Sequence, residues 1–196
     1  MISPFQYILP LVSVVIGIAL SDLAMSLHRL IRARDRVRWD WLPLLTAVIG
    51  ILAVLQVWWL FYNSQQSDFY QTLYGFLPLA AQLITLVLLS AAALPDRVPD
   101  EGIDLRLFYE TSAPYFWSAY AFYLFLIVAH RVGVQVVIGL PEGVSVVDLL
   151  VKVIPFIPLI LFFLALARFK NRLFHSVAIP VVFLFVLLEI NGLRLG

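Results

Sequence analysis

Apolar residues fall into six long blocks along the chain, over residues 5–27, 41–62, 73–94, 112–131, 147–167 and 174–193. Charged side chains collect in the short stretches between them. Each block is close to the length of helix, about 20 residues, that crosses a hydrocarbon core of about 30 Å. The pattern predicts an all-α polytopic integral membrane protein. Six transmembrane helices would form one bundle with short loops, a single transmembrane domain over residues 1–196.

Aromatic residues support the second block independently. Trp39 and Trp41 stand at one end and Trp58 and Trp59 at the other. Their separation corresponds to roughly 27 Å of helix, close to the thickness of a bilayer core. Tyr62, Phe69, Tyr70 and Tyr74 extend the second belt toward the third block.

The distribution of basic residues sets the expected orientation. Arg29, Arg32, Arg34, Arg36 and Arg38 follow the first block, Arg97 and Arg106 the third, and Arg168, Lys170 and Arg172 the fifth. The opposite side carries only Arg131 and Arg194, with Lys152 about a turn inside a helix. Basic residues mark cytoplasmic loops, so the odd loops are expected inside and both termini outside. A multi-pass protein of a bacterial inner membrane suits this pattern. No cleavable signal peptide is expected, because the charges follow the first apolar run instead of preceding it.

Composition sharpens the picture in two respects. Hydrophobic residues make up 63% of the chain and charged ones 13%, so lipid must solvate much of the surface. Cysteine is absent, which removes disulfides, thiolate nucleophiles and Cys-based metal sites. Two connectors stand out. Residues 95–111 are polar and interrupted by proline, whereas 132–146 are apolar, as in Val136-Val137-Ile138-Gly139-Leu140-Pro141. Prolines recur at Pro10, Pro78 and Pro158 and at Pro43, Pro114 and Pro180, leaving open three repeated helical hairpins. Mitochondrial carriers share three two-helix repeats, but the charged residues they require after the odd-helix prolines are missing here.

Ionisable groups inside an apolar block are costly and become candidate sites. Asp22, Glu110 and His175 share the arginine-rich side and are binding candidates. Asp22 is expected to pair with an arginine such as Arg29. On the other side Asp148 and Lys152 have ion-pair spacing, and Lys152 with Glu189 forms a second candidate pair. His130 and Arg131 are read as the interfacial end of the fourth helix. Every block then lacks ionisable residues in its middle third, which argues against a proton pump. Gln56, Gln82, Thr85, Tyr120 and Tyr123 supply the polar atoms at depth. Ser13, Gly17 and Ser21 make a small-residue stripe suited to close helix packing, either within the bundle or against another chain. The aromatic fourth block is expected to pack or face lipid, with an apolar-ligand cavity as the alternative.

Catalytic signatures are absent: no H-E-x-x-H, G-x-S-x-G or P-loop pattern occurs. No metal site or cofactor is expected. His28 and His175 are the one pair placed to clamp a haem, and Ser112, Glu110 and His175 the one serine-centred trio. The basic run His28–Arg38 suits anionic headgroups, not nucleic acid. The expected function is a non-enzymatic membrane module working through helix packing. It would be a subunit of a homo-oligomer or of a complex with a membrane partner, around a permeation path or not. The alternatives are a small transporter or channel for a neutral or amphipathic solute, and an intramembrane enzyme acting on lipid or peptide.

Overall fold

The computed structural model describes residues 5–63, 72–140 and 144–191. It consists of α1 (Phe5–Arg32), a 3-10 turn (Arg34–Arg36), β1 (Val37–Arg38), α2 (Trp41–Asn63), α3 (Leu73–Ala93), β2 (Ile103–Asp104), α4 (Leu105–Ile138), α5 (Val146–Val153), α6 (Phe156–Arg168) and α7 (Arg172–Asn191). Six helical stretches are long and apolar enough to cross a membrane, with α5 and α6 together counting as one. The long α4 packs against α3 on one flank and α6 on the other. Helix α1 lies on α2 and α3, while α7 packs mainly on α2. Among the described residues α6 and α7 make little contact with each other.

The largest buried side chains are aromatic and central. Trp117 is fully buried, with Phe116 and Phe163 nearly so. Trp117 stacks on Phe163 with ring centres 5.5 Å apart, and Tyr120 meets Phe163 at 4.6 Å. Large apolar side chains such as Leu11 and Ile18 of α1 and Leu188 of α7 point outward. That suits a chain whose outer surface is solvated by hydrocarbon.

Two helices differ from the hydropathy pattern, for identifiable reasons. Helix α4 is longer at both ends than residues 112–131. Its start is fixed by Asp104, whose carboxylate caps the N–H groups of Arg106 and Leu107. Arg106 and Glu110, paired at 3.1 Å, are tolerated because they lie on exposed turns of the helix. At the far end, α4 continues until Gly139, whose φ of +92° terminates it. Hydropathy reports the lipid boundary, whereas the helix obeys its caps. The fifth block is not one helix either. Pro155 and Pro158 each lack an N–H, and the regular helix is interrupted between Val153 and Phe156.

At the arginine-rich end, β1 and β2 form a two-residue parallel pair, Val37 with Ile103 and Arg38 with Asp104. Arg36 bridges to Asp100 and Arg38 to Asp104, both at 3.2 Å. This clasp ties the α1–α2 connection to the α3–α4 connection. Gly102 sits inside it at φ +93°, where an added Cβ would lie 2.4 Å from the carbonyl oxygen of Arg36. Gly102→Ala is therefore expected to cost about 2 kcal/mol, since both the backbone angle and the close approach exclude a side chain. Denaturation of the variant in detergent should show this loss; wild-type stability would mean the clasp is not formed.

Candidate functional site

A cavity lies toward the end of the bundle opposite the arginine-rich one. It measures about 490 Å³ and is lined by α2, α3, α4, α6 and α7, within the usual range for small-molecule sites. Tyr120, Tyr123 and Phe163 line its deep part, and Leu79, Ile127 and Leu159 its apolar walls. Arg131, Pro155, Phe185 and Glu189 also line it and are exposed, so they mark the mouth. The mouth falls between the start of α6 and the end of α7, which make little contact with each other.

Polar groups are set at intervals down this cavity. Gln82 Nε2 donates to His130 Nδ1 at 3.1 Å and lies 3.4 Å from the carbonyl oxygen of Leu126. Accepting at Nδ1, neutral His130 carries its proton on Nε2. The Arg131 guanidinium stands over the Phe156 ring, 5.3 Å from its centre, a cation–π arrangement. Glu189 makes no ion pair or hydrogen bond among the described residues. The mouth thus presents one cation and one anion, and the interior presents aromatic rings with scattered hydrogen-bonding groups.

The structure corrects the reading of His130 and Arg131 as the end of the fourth helix. Helix α4 runs on to Ile138, about 11 Å further along its axis. The partner of His130, Gln82, is about 14 Å from the first residue of α3. An imidazole therefore reaches the level of the central turns of α3. The apolar run Val132–Ile138 ending in Gly139 was the sequence signal for this extension.

The sequence candidates scatter. Glu189 lines the cavity, but Lys152 does not, and the two do not pair. Asp148 accepts instead from Ser145, from its N–H at 2.8 Å and its hydroxyl at 2.7 Å, which caps α5. It forms no ion pair with Lys152. Glu110 and His175 border a space of about 20 Å³ at the arginine-rich end, room for one water. Asp22 lies elsewhere, in a groove beside α1, and no arginine pairs with it there. Arg29 turns to the carbonyl oxygen of Asp96 instead, at 2.8 Å.

His175 is occupied at both nitrogens. Its Nδ1 meets the Tyr109 hydroxyl at 2.6 Å and its Nε2 the Phe169 carbonyl at 2.7 Å. Neither nitrogen remains for a haem or for a Ser112 nucleophile. Among the described residues no group of three metal-ligating side chains occurs. The serine–glycine stripe is exposed at Ser13, Gly17 and Ser21, and a Cβ at Gly17 would meet nothing within 4 Å. Ser13 nevertheless accepts from Trp58 Nε1 of α2 at 3.4 Å. The aromatic fourth block divides its rings. Tyr115, Phe122 and Phe125 face outward, while Tyr120 and Tyr123 line the cavity.

No protein-family model, curated protein or solved structure matches this chain.

Proposed function

We propose that this is a non-enzymatic, multi-pass membrane protein that takes an amphipathic molecule into the cavity between α4, α6 and α7. The observation that carries this reading is the form of the cavity. It is apolar and aromatic at depth, bears Arg131 and Glu189 at its mouth, and lies beside the loosely packed α6 and α7. A molecule dissolved in the bilayer enters such an opening sideways without crossing water. With the arginine-rich end in the cytoplasm, the mouth faces the outer leaflet and both termini lie outside. A helix interrupted beside the cavity, here at Pro155, is also a feature of membrane transporters. Passage of the bound molecule is thus the natural extension of binding.

Catalysis has less support. Among the described lining residues there is no serine, threonine or lysine, and His130 accepts from Gln82. The reading as a packing subunit of a larger assembly keeps one observation in its favour. Gly17 and Ser21 of the stripe are exposed and open to lipid or to another chain. The cavity reading holds with or without such an assembly.

The test is filling the cavity. Protein purified in mild detergent is extracted with organic solvent, and the released amphiphiles are quantified by mass spectrometry. Wild type should yield a defined species, and Ile127→Trp should lose about nine-tenths of it, since an indole takes up much of the space beside His130. Circular dichroism confirms that the variant is folded. A wild-type extract holding only bulk membrane lipid, or equal yields from folded variant and wild type, would sink the proposal.

A further inference from the structure

A second, separate feature lies at the arginine-rich end: a wide groove of about 940 Å³ between α1, α3 and the α3–α4 connection. Arg29, Arg32, Arg36 and Arg97 border it, against the two carboxylates of Asp22 and Asp96. Arg29 and Arg36 are held by the connection itself, through the Asp96 carbonyl at 2.8 Å and the Asp100 carboxylate at 3.2 Å. Arg32 and Arg97 have no hydrogen bond or ion pair among the described residues, and both are exposed. Two guanidiniums are thus free beside two that are fixed. The groove continues up the bundle along Ile18, Val87 and Ala91, which are apolar or small. Ile18 is about 21 Å along the helix axis from Arg32.

We infer that this groove is a site for one anionic phospholipid, its phosphate between Arg32 and Arg97 and an acyl chain along Ile18, Val87 and Ala91. The guanidinium fork matches phosphate oxygens in shape and charge. Four arginines against Asp22, Asp96 and the Asp100 carboxylate that pairs with Arg36 still leave one positive charge, which a net-neutral headgroup would not satisfy. The apolar continuation favours a lipid over soluble phosphate, which would use only the charged end. Asp22 stands between the two parts, about 15 Å along α1 from Arg32. Its carboxylate repels the phosphate, so it limits the affinity of the site and contributes no ligand contact.

The test titrates the full-length protein in nonionic detergent with dioleoyl phosphatidylglycerol, dioleoyl phosphatidylcholine or inorganic phosphate, followed by native mass spectrometry. Phosphatidylglycerol should bind with defined stoichiometry and the other two should not. Arg32→Gln combined with Arg97→Gln should weaken it about tenfold or more. Arg34→Gln combined with Arg106→Gln, two arginines at the same end but outside the groove, should change it less than about twofold. Asp22→Asn should bind as tightly as wild type or more so. Equal losses in the two arginine pairs would mean diffuse attraction and overturn the site. Binding of inorganic phosphate or phosphatidylcholine comparable to phosphatidylglycerol would do the same, as would weakened binding in Asp22→Asn.

Discussion

Replacing His175 by alanine should cost about 3 kcal/mol of stability, most of it from packing. The side chain is 3% exposed and lies where α7 meets α4. The hydrogen bonds around it follow from one fact: the Phe169 carbonyl can only accept. His175 therefore carries its proton on Nε2 and donates there at 2.7 Å. Its Nδ1 then accepts from the Tyr109 hydroxyl at 2.6 Å. That hydroxyl in turn accepts from Trp117 Nε1 at 3.0 Å. Each donor in the series meets one acceptor, a relay from α4 to the α6–α7 connection. Hydrogen bonds between helices in hydrocarbon contribute about 0.6 kcal/mol each on average, so Tyr109→Phe should cost only about 1 kcal/mol. The comparison separates the two sources, read from unfolding in a graded series of denaturing detergent. A His175→Ala variant as stable as wild type would show that α7 does not dock as described. Equal costs for the two variants would mean that bonding, not packing, dominates.

This relay shows where the sequence is legible and where it stops. The six apolar blocks locate six membrane-length helices, because hydrocarbon compatibility is a local property of a stretch of about 20 residues. Helix ends are set by caps instead. Asp104 and Gly139 bound α4, and both residue types are recognisable markers. A boundary drawn where hydropathy falls, at Arg131, displaced His130 to the surface. Pairing between helices is another matter. Tyr109 and His175 are 66 positions apart, and no periodicity indicates that their faces meet. Asp22, Glu110 and His175 share a depth along the chain pattern, yet rotation about the helix axes sends Asp22 to the α1 groove and His175 to the core.

The cavity was legible only in fragments for the same reason. Glu189, Gln82 and the two tyrosines were visible as polar atoms within apolar blocks. Their convergence depends on how five helices pack, with the break at Pro155 and the weak contact between α6 and α7. Neither follows from any one segment. Phe163 was hidden further, since a phenylalanine in an apolar run carries no mark of whether it faces lipid, core or an empty space.

Asp40→Ala should be comparably damaging, at about 3 kcal/mol, because one carboxylate holds the starts of two helices. Its Oδ1 accepts from the N–H of Leu42 at 3.0 Å, capping α2. Its Oδ2 is paired with Arg172, the first residue of α7. The Asp40 side chain is only 8% exposed and that of Arg172 is 32% exposed. Loss of the cap accounts for about 1 kcal/mol. Stranding a fully buried Arg172 would cost about 3–5 kcal/mol, but its partial exposure lets water relieve part of that, leaving about 2 kcal/mol. Asp40→Asn tests the division, since asparagine caps as well as aspartate while removing the charge. It should recover about 1 kcal/mol relative to alanine. A double-variant cycle with Arg172→Gln should give a coupling of about 1–2 kcal/mol; zero coupling would make the ion pair a bystander. The pair also bears on the cavity. Helix α7 supplies Phe185, Val186 and Glu189 to its wall and has little contact with α6. Its position is therefore fixed by α2, by the His175–Tyr109 contact with α4 and by this anchor at the opposite end. Loosening the anchor by Asp40→Asn should lower amphiphile retention in the folded protein, whereas Glu110→Gln, which breaks only an exposed pair on α4, should leave it unchanged.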